Sequence, residues 1–478
     1  MNNKVILLGI DGLQPSQITE LHMPNLYRMV RNGTLFTNHH SVFPTVTRVN
    51  TVSMLTGCYP GHHGLVGNTM VIKDYDESLV IPVLKPQIES VNKKIKSILL
   101  VPNIVDILSN YRMRFAAVNI GSSGNAYLHN QTLSDNGIVI HPEFSIPNML
   151  YPDIISRFGE WPVKSQNDES RLEHAMKIFT SHVLDELNPE VSMFWCNNPD
   201  SVQHYSPVGG ESSNKALSIV DSQIGRLHKY IETTGRNDLN IVIVSDHGYS
   251  TIKGVVDIEN FVKSKIVESI KCDEEILVAP NGGSVLFYIN PFNRNTLEML
   301  IDYLIFQPWC GNIFASHKDG DVEGTIDFSK VGLNGIREPD LAMSFRWLNE
   351  LNQHHVQGAV YSSSGEVGNG QHGSIGLTEH RSVLIGYGPD FKVNNVVSDP
   401  SGNIDITPTI MELVGIENNQ DMDGRILRES LIRSNQQNTE IRKNISYAKR
   451  NRRGSIYEQE LEVSIFGNSV YINHAEVY

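Results

Sequence analysis

Cysteine is scarce in this chain of 478 residues. Cys58, Cys196, Cys272 and Cys310 are the only four, and none belongs to a C-x-x-C pair. That excludes a disulfide framework and a cysteine zinc site, and it predicts a reducing compartment. Any metal must then be held by histidine and carboxylate. Basic charge is short too: Lys+Arg 39 against Asp+Glu 53 leaves −14, which argues against a dedicated nucleic-acid surface with its basic stripe. No apolar run approaches the ~18 residues of a membrane span. The run Val5 to Ile10 stops at Asp11, too soon for a secretory signal core, so the sequence predicts a cytoplasmic protein. Internal repeats and low-complexity tracts are missing as well. With 40% hydrophobic and 19% charged residues, what remains is a large globular fold.

What is present has the rhythm of an α/β protein. Lys4 to Ile10 reads as a buried strand ending in Asp11-Gly12. Arg114 to Ile120 before Gly121-Ser-Ser-Gly124, Val191 to Trp195 before Asp200, and Asn240 to Val244 before Asp246-His247 repeat the pattern of apolar run and polar loop. Helical spacing over Leu172 to Leu187 and Asn214 to Thr233 separates them. Strands alternating with helices predict a three-layer αβα sandwich around a mainly parallel sheet. Between 255 and 350 the order changes to strand (Gly283 to Tyr288), helix (Asn295 to Phe306) and strand (Asn312 to Ala315), a small inserted α+β cap subdomain and candidate lid. Arg381 to Gly386 and the helical Thr407 to Leu413 return to the first pattern. The catalytic core is thus expected over 1–254 and 351–430, and a tail over 435–478. That tail carries Arg442, Lys443, Lys449, Arg450, Arg452 and Arg453, read as a solvated basic face, then a candidate β-hairpin over Leu461 to Phe466, Gly467-Asn468 and Ser469 to Ile472. A second copy of the chain could pair through this hairpin.

The chemistry-bearing residues stand just after strands or in glycine-flanked loops: Asp11, Asp200 with His204, Asp246-His247, and His372 in Gly370-Gln-His-Gly373. Zinc favours such nitrogen and oxygen donors, and two ions can share an in-line displacement at phosphorus. An Asp/His pair at i, i+4 is by itself commonly a helix-surface contact. Asp246-His247 says more, because two ionisable groups ending a buried run are costly without a use. Phe43-Pro-Thr-Val-Thr-Arg-Val-Asn50 precedes the helical stretch Thr51 to Thr56, so a threonine hydroxyl stands near a helix N-terminus, where N–H groups and the dipole favour an oxyanion. Thr45 and Thr47 compete for that position, and an N-cap is the plain alternative.

Taken in order, Gly9-Ile-Asp-Gly12, Pro44-Thr-Val-Thr47, Thr56-Gly-Cys-Tyr-Pro-Gly-His-His-Gly64 with Asn68, Pro199-Asp-Ser-Val-Gln-His204, Ser245-Asp-His-Gly248 and Gly370-Gln-His-Gly373 resemble the alkaline phosphatase superfamily. The branch they are most similar to is the nucleotide pyrophosphatase/phosphodiesterases, with phosphonoacetate hydrolase nearby. Asp405-Ile-Thr-Pro-Thr409 and Asp423-Gly424 also look familial, so the resemblance runs from about residue 4 to 426. It implies that Asp200, His204 and His372 hold one zinc, and that Asp11, Asp246 and His247 hold the other with Thr47 as nucleophile. Thr45 is then structural. Asn68 matches the family's oxyanion donor, while His62 and His63 match no ligand position. Manganese or another divalent ion would also suit these donors.

The departures bear on substrate. Arg48 follows the nucleophile where the nucleotide enzymes usually carry an aromatic residue. Phosphonoacetate hydrolases are expected to use a lysine pair near Gly121 to Asn125, yet no lysine lies between Lys96 and Lys164. Arg48, Ser122, Ser123 and Asn125 are candidate substrate contacts. Cys58-Tyr-Pro-Gly-His62 superficially resembles the sulfatase C-x-P-x-R signature but has His at the arginine position. The expectation is a two-metal phosphodiesterase or pyrophosphatase acting on a small nucleotide-like substrate through a phosphothreonine. The alternatives are phosphonate or phosphomonoester hydrolysis on the same site, with Arg48 supplying extra charge, and a silent metal-stabilised scaffold.

Overall fold

Strand Lys4–Ile10 occupies the middle of a nine-stranded sheet. The computed structural model describes residues 3–267, 274–417, 421–433, 440–452 and 454–478, so Cys272 and Arg453 lie outside the described residues. Five strands run parallel through the centre in the order Leu239–Val244, Lys4–Ile10, Val191–Cys196, Phe115–Asn119 and Gly137–His141. Leu384–Tyr387, the returning strand expected near Arg381, is antiparallel to both of its neighbours, Leu239–Val244 and Thr34–Phe36. Asn395–Val397 and Phe144–Ile146 close the two edges.

Side chains alternate across this sheet with the period-2 geometry of a strand, and each face is covered by helices. Ile6, Leu8 and Ile10 pack with apolar residues of the helices Pro24–Arg31, Glu169–Ile178 and Glu211–Thr234. Val5 and Leu7 pack on the opposite face with the helices Thr47–Thr56, Ile104–Asn110 and Ile406–Val414. The result is the three-layer αβα sandwich. Register then levels the C-terminal ends, with Gly9 opposite Val244 and opposite Trp195, and Ile10 opposite Cys196. The loops that follow the central strands therefore meet along one edge, where open α/β sheets place their ligands.

The insertion has its own five-stranded sheet, ordered Glu275–Asn281, Ser284–Asn290, Leu341–Phe345, Cys310–Ala315 and Ile326–Asp327. Helix Arg294–Leu304 buries Leu297, Leu300 and Ile301 against Val285 and Phe287. At the C-terminus the hairpin forms as strands Ser455–Phe466 and Ser469–Val477, joined through Gly467 at φ 63°. A further strand, Ile441–Arg452, pairs along the whole first arm, so the basic stretch is one strand of a three-stranded sheet. Its expected solvated face holds for Lys443 and Lys449, which pair with Glu462 and Glu458 across the ladder. Arg450 departs from it: fully buried, its guanidinium reaches Glu298 and Asp302 of the insertion's helix. No helix among the described residues is long and apolar enough to cross a membrane.

Candidate active site

Four chain segments supply the buried donors. Asp11 follows the first strand, Asp246 and His247 follow Leu239–Val244, Asp200 opens a short helix beyond Val191–Cys196, and His372 follows the two-residue strand Gly370–Gln371. His247 Nε2 lies 3.6 Å from Asp11 Oδ1 and 3.2 Å from Asp246 Oδ2. Alongside, His372 Nε2 stands 3.4 Å from Asp200 Oδ1 and 3.3 Å from His204 Nε2, and His204 Nε2 is itself 3.4 Å from Asp200 Oδ1. The two groups share a wall, since the rings of His247 and His372 stack with centroids 3.7 Å apart. The ligand residues foreseen from sequence are thus brought together.

Neighbouring groups fix how each donor points. His372 Nδ1 donates to the carbonyl of Thr45 at 2.8 Å, and His247 Nδ1 to the carbonyl of Gly248 at 3.0 Å, which leaves both Nε2 lone pairs facing inward. Trp195 Nε1 donates to Asp11 Oδ2 at 3.2 Å, the Tyr249 hydroxyl to Asp200 Oδ1 at 2.6 Å, and the Gly12 N–H to Asp246 Oδ1 at 3.0 Å. Trp195 and Tyr249 are contributions that sequence reasoning missed. The signal was there for Tyr249, two positions after His247, but Trp195 reads only as the apolar end of a strand.

The remaining oxygens show what the groups fit. Asp11 Oδ1 and Asp246 Oδ2 are buried with no hydrogen-bond partner, an arrangement that is costly unless a cation shares them. Burial, with Asp200 and Asp246 nearby, holds the Asp11 carboxyl well above its usual range, and burial pushes Asp246 up to about 6. It likewise takes His372 down to about 3 and His247 down to about 4, so both imidazoles are neutral donors. At Asp200 burial acts upward, but His204, His372 and His247 outweigh it and keep the carboxyl below its ordinary value. Clustered buried carboxylates with neutral imidazoles are the donor set of divalent metal sites, and bound cations invert these penalties.

Thr47 is the first residue of helix Thr47–Thr56, and its Oγ1 stands 3.3 Å from His247 Nε2, between the donors and the open side. Thr45 is otherwise engaged: its buried hydroxyl donates to Ser374 O at 2.7 Å and accepts from the Gly373 N–H at 3.0 Å. Asn68 Oδ1 accepts the Arg48 N–H at 3.0 Å, which orients the amide of Asn68 along the same rim. His62 pairs with Asp423 at 3.0 Å and buried His63 meets Ser53 Oγ at 3.0 Å, both away from the donors. Cys58 is buried there too, its thiol pushed up to about 12 by burial.

A cleft of about 590 Å³ opens above the donors, within the size range of small-molecule sites. Its walls come from Thr47, Arg48 and Asn68, from Gly121 and Ser122, from Lys164 to Gln166, and from Tyr205 beside His204. No lining side chain comes from 255–350 among the described residues, which corrects the expectation of a lid. Gly283 instead braces His372 from behind, its N–H donating to the His372 carbonyl at 2.7 Å. Ser122 lines the cleft and caps helix Ser123–Leu128. Ser123 and Asn125 do not line it: that helix turns inward, and Asn125 is fully buried.

A doubly covered parallel sheet, paired Asp/His groups at its C-terminal edge and a hydroxyl on a helix N-terminus are the build of the alkaline phosphatase superfamily. Comparison with known proteins narrows this. The family model described as "Type I phosphodiesterase / nucleotide pyrophosphatase" matches residues 5–305, and the chain belongs to that family. Human bis(5'-adenosyl)-triphosphatase ENPP4 is 27% identical over 253 residues, 51% of this chain and 47% of the relative. Venom phosphodiesterase 2 of Crotalus adamanteus is 25% identical over 256 residues, 52% of this chain and 27% of the relative. The match thus spans under half the length of the first of these relatives and about a quarter of the second.

Proposed function

We propose that this chain is a two-metal hydrolase that cleaves a phosphodiester or phosphoanhydride through a covalent phosphothreonine at Thr47. The observation that carries the reading is the Thr47 hydroxyl beside two groups of inward-pointing donors that leave Asp11 Oδ1 and Asp246 Oδ2 unpartnered. Asp200, His204 and His372 would hold one divalent ion, and Asp11, Asp246 and His247 the other. Zinc suits this donor set, and such ions lower the pKa of a hydroxyl and neutralise charge gathering on phosphoryl oxygens.

The chain's own residues do the rest. Thr47 Oγ bonds to phosphorus as its proton leaves and the P–O bond to the departing group breaks; water then releases the phosphoryl group and restores the hydroxyl. The Thr47 N–H and Asn68 Nδ2 donate to a non-bridging oxygen as its charge grows, Asn68 being held for this by the Arg48 N–H on its Oδ1. Helix Thr47–Thr56 adds the positive end of its dipole. One neutral amide fits the single non-bridging charge of a diester. Arg48 favours a second reading, hydrolysis of monoesters or phosphonates with the guanidinium on the additional charge.

Thr47→Ala tests the mechanism. The expected outcome is two metals per chain retained by elemental analysis and kcat on bis-p-nitrophenyl phosphate lowered by roughly three powers of ten or more. Undiminished turnover in that variant removes Thr47 from the reaction. For the zinc-loaded wild type, kcat/KM on bis-p-nitrophenyl phosphate above that on p-nitrophenyl phosphate supports the diester reading, and the reverse order supports the second.

A further inference from the structure

Arg48 is an unusual cation. Its side chain lies along the cleft wall over Gly124, where a Cβ would come within 2.9 Å of Nε. Nη2 donates to Ser122 Oγ at 3.2 Å, and Nε is buried with no hydrogen-bond partner. Asp11 and Asp200 act on it through space, yet no carboxylate oxygen among the described residues lies within 4.0 Å to form an ion pair. Burial draws the guanidinium down to about 10. It keeps its proton near neutrality and so remains a desolvated, incompletely paired charge, which a fold retains at a cost. Lys164 lines the same cleft from an exposed loop and has no ion pair among the described residues. Ser122 holds the guanidinium on the wall after the Phe115–Asn119 strand, beside the metal-type donors and out of contact with them.

We propose that Arg48 and Lys164 form the seat for a second phosphate, bonded through the departing oxygen to the one attacked. The preferred substrates are then phosphoanhydrides with a polyanionic leaving group, and Arg48 is a specificity-determining residue. This rests on the hydrolase reading above. A planar guanidinium with one free N–H edge suits a phosphate's paired oxygens, and an ammonium at the rim adds a second charge without rigid geometry. A diester whose leaving group is uncharged leaves both cations unused.

Three probes separate the outcomes with metal-loaded enzyme: diadenosine triphosphate, the p-nitrophenyl ester of thymidine 5′-monophosphate, and p-nitrophenyl phosphate. In Arg48→Met the ratio of kcat/KM on the triphosphate to that on the nitrophenyl diester is expected to fall about 30-fold, the loss of a charge-assisted pair. Exposed Lys164→Gln, whose folding is not in question, should lower the same ratio about 3-fold. Equal losses on triphosphate and diester overturn the proposal, as does a loss concentrated on p-nitrophenyl phosphate, which would put Arg48 on the attacked phosphate itself. If the wild type turns over none of the three, the hydrolase reading fails, and calorimetric titration with ADP still judges the seat. About 30-fold weaker ADP binding in Arg48→Met supports it, and equal binding overturns it.

Discussion

Glu379 is fully buried just behind the donors, accepting the Ser374 N–H on Oε2 at 2.6 Å, and burial raises its carboxyl to about 7. Its ordinary value is 4.5, so between about pH 4.5 and 7 the folded chain holds a proton that the unfolded chain releases. That contribution is complete below 4.5 and is lost as pH rises through 7. Glu379→Gln keeps the acceptor and removes the titration. Its melting temperature relative to wild type should climb with pH across this window and level off above it; a flat difference would show that the carboxyl does not titrate there. The same scale separates Thr45 from Thr47. Two like residues in one loop carry no sequence signal for which is free, and the answer lies in Thr45 closing hydrogen bonds to Gly373 and Ser374, far along the chain. Asn125 shows the reverse, a polar residue in a promising loop that the helix start at Ser123 turns into the interior.

At the level of elements, the first strand does more than carry Asp11. Gly9 lies beside Trp195 so closely that a Cβ would fall 2.2 Å from Cε3, and it is this indole that holds Asp11 through Nε1. The absent side chain on one strand is what lets its neighbour's tryptophan reach over it. Gly9→Ala should therefore act twice. Displacing a fully buried ring is expected to cost roughly 1–3 kcal/mol by denaturant unfolding. Loosening Asp11 should weaken metal binding about 10-fold or more in chelator competition. A variant with lowered stability and unchanged metal affinity would show that Trp195 does not orient Asp11. Helix Thr47–Thr56 has the complementary role: all but its first two residues are buried, so the end that meets the cleft cannot drift.

Across the whole molecule, the terminal sheet fastens the insertion to the core. Gln459 fills all its hydrogen-bonding capacity against the insertion, with Nε2 on the carbonyls of Ile313 and Gly324 and Oε1 accepting from Asn312 and Ile313. Tyr471 reaches the core instead, its hydroxyl 2.9 Å from Asp405 Oδ2. Arg450 is the buried cation of this clasp, bound to Glu298, Asp302 and the Glu323 carbonyl. Because its acidic partners stay 28% and 33% exposed, Arg450→Met should cost on the order of 2 kcal/mol, below the range of a fully buried pair. Denaturant unfolding measures this, and a loss within 0.5 kcal/mol, the scale of an ordinary surface substitution, would mean that the clasp bears little of the stability.

The amino-acid sequence by itself determined the layered α/β architecture, the order of strands and helices through the core, the inserted α+β unit and the short list of donors. Each of these follows from local causes: apolar periodicity, strand ends marked by Asp or Gly, and residue types whose chemistry is their own. Tertiary structure alone decided which of two threonines is free and that Trp195 and Tyr249 orient carboxylates. It also decided that the insertion stands behind His372 rather than over the cleft, and that one arginine of a basic run is buried. These depend on contacts between residues hundreds of positions apart, where burial and competing hydrogen bonds set the outcome. No window of neighbouring residues contains that information.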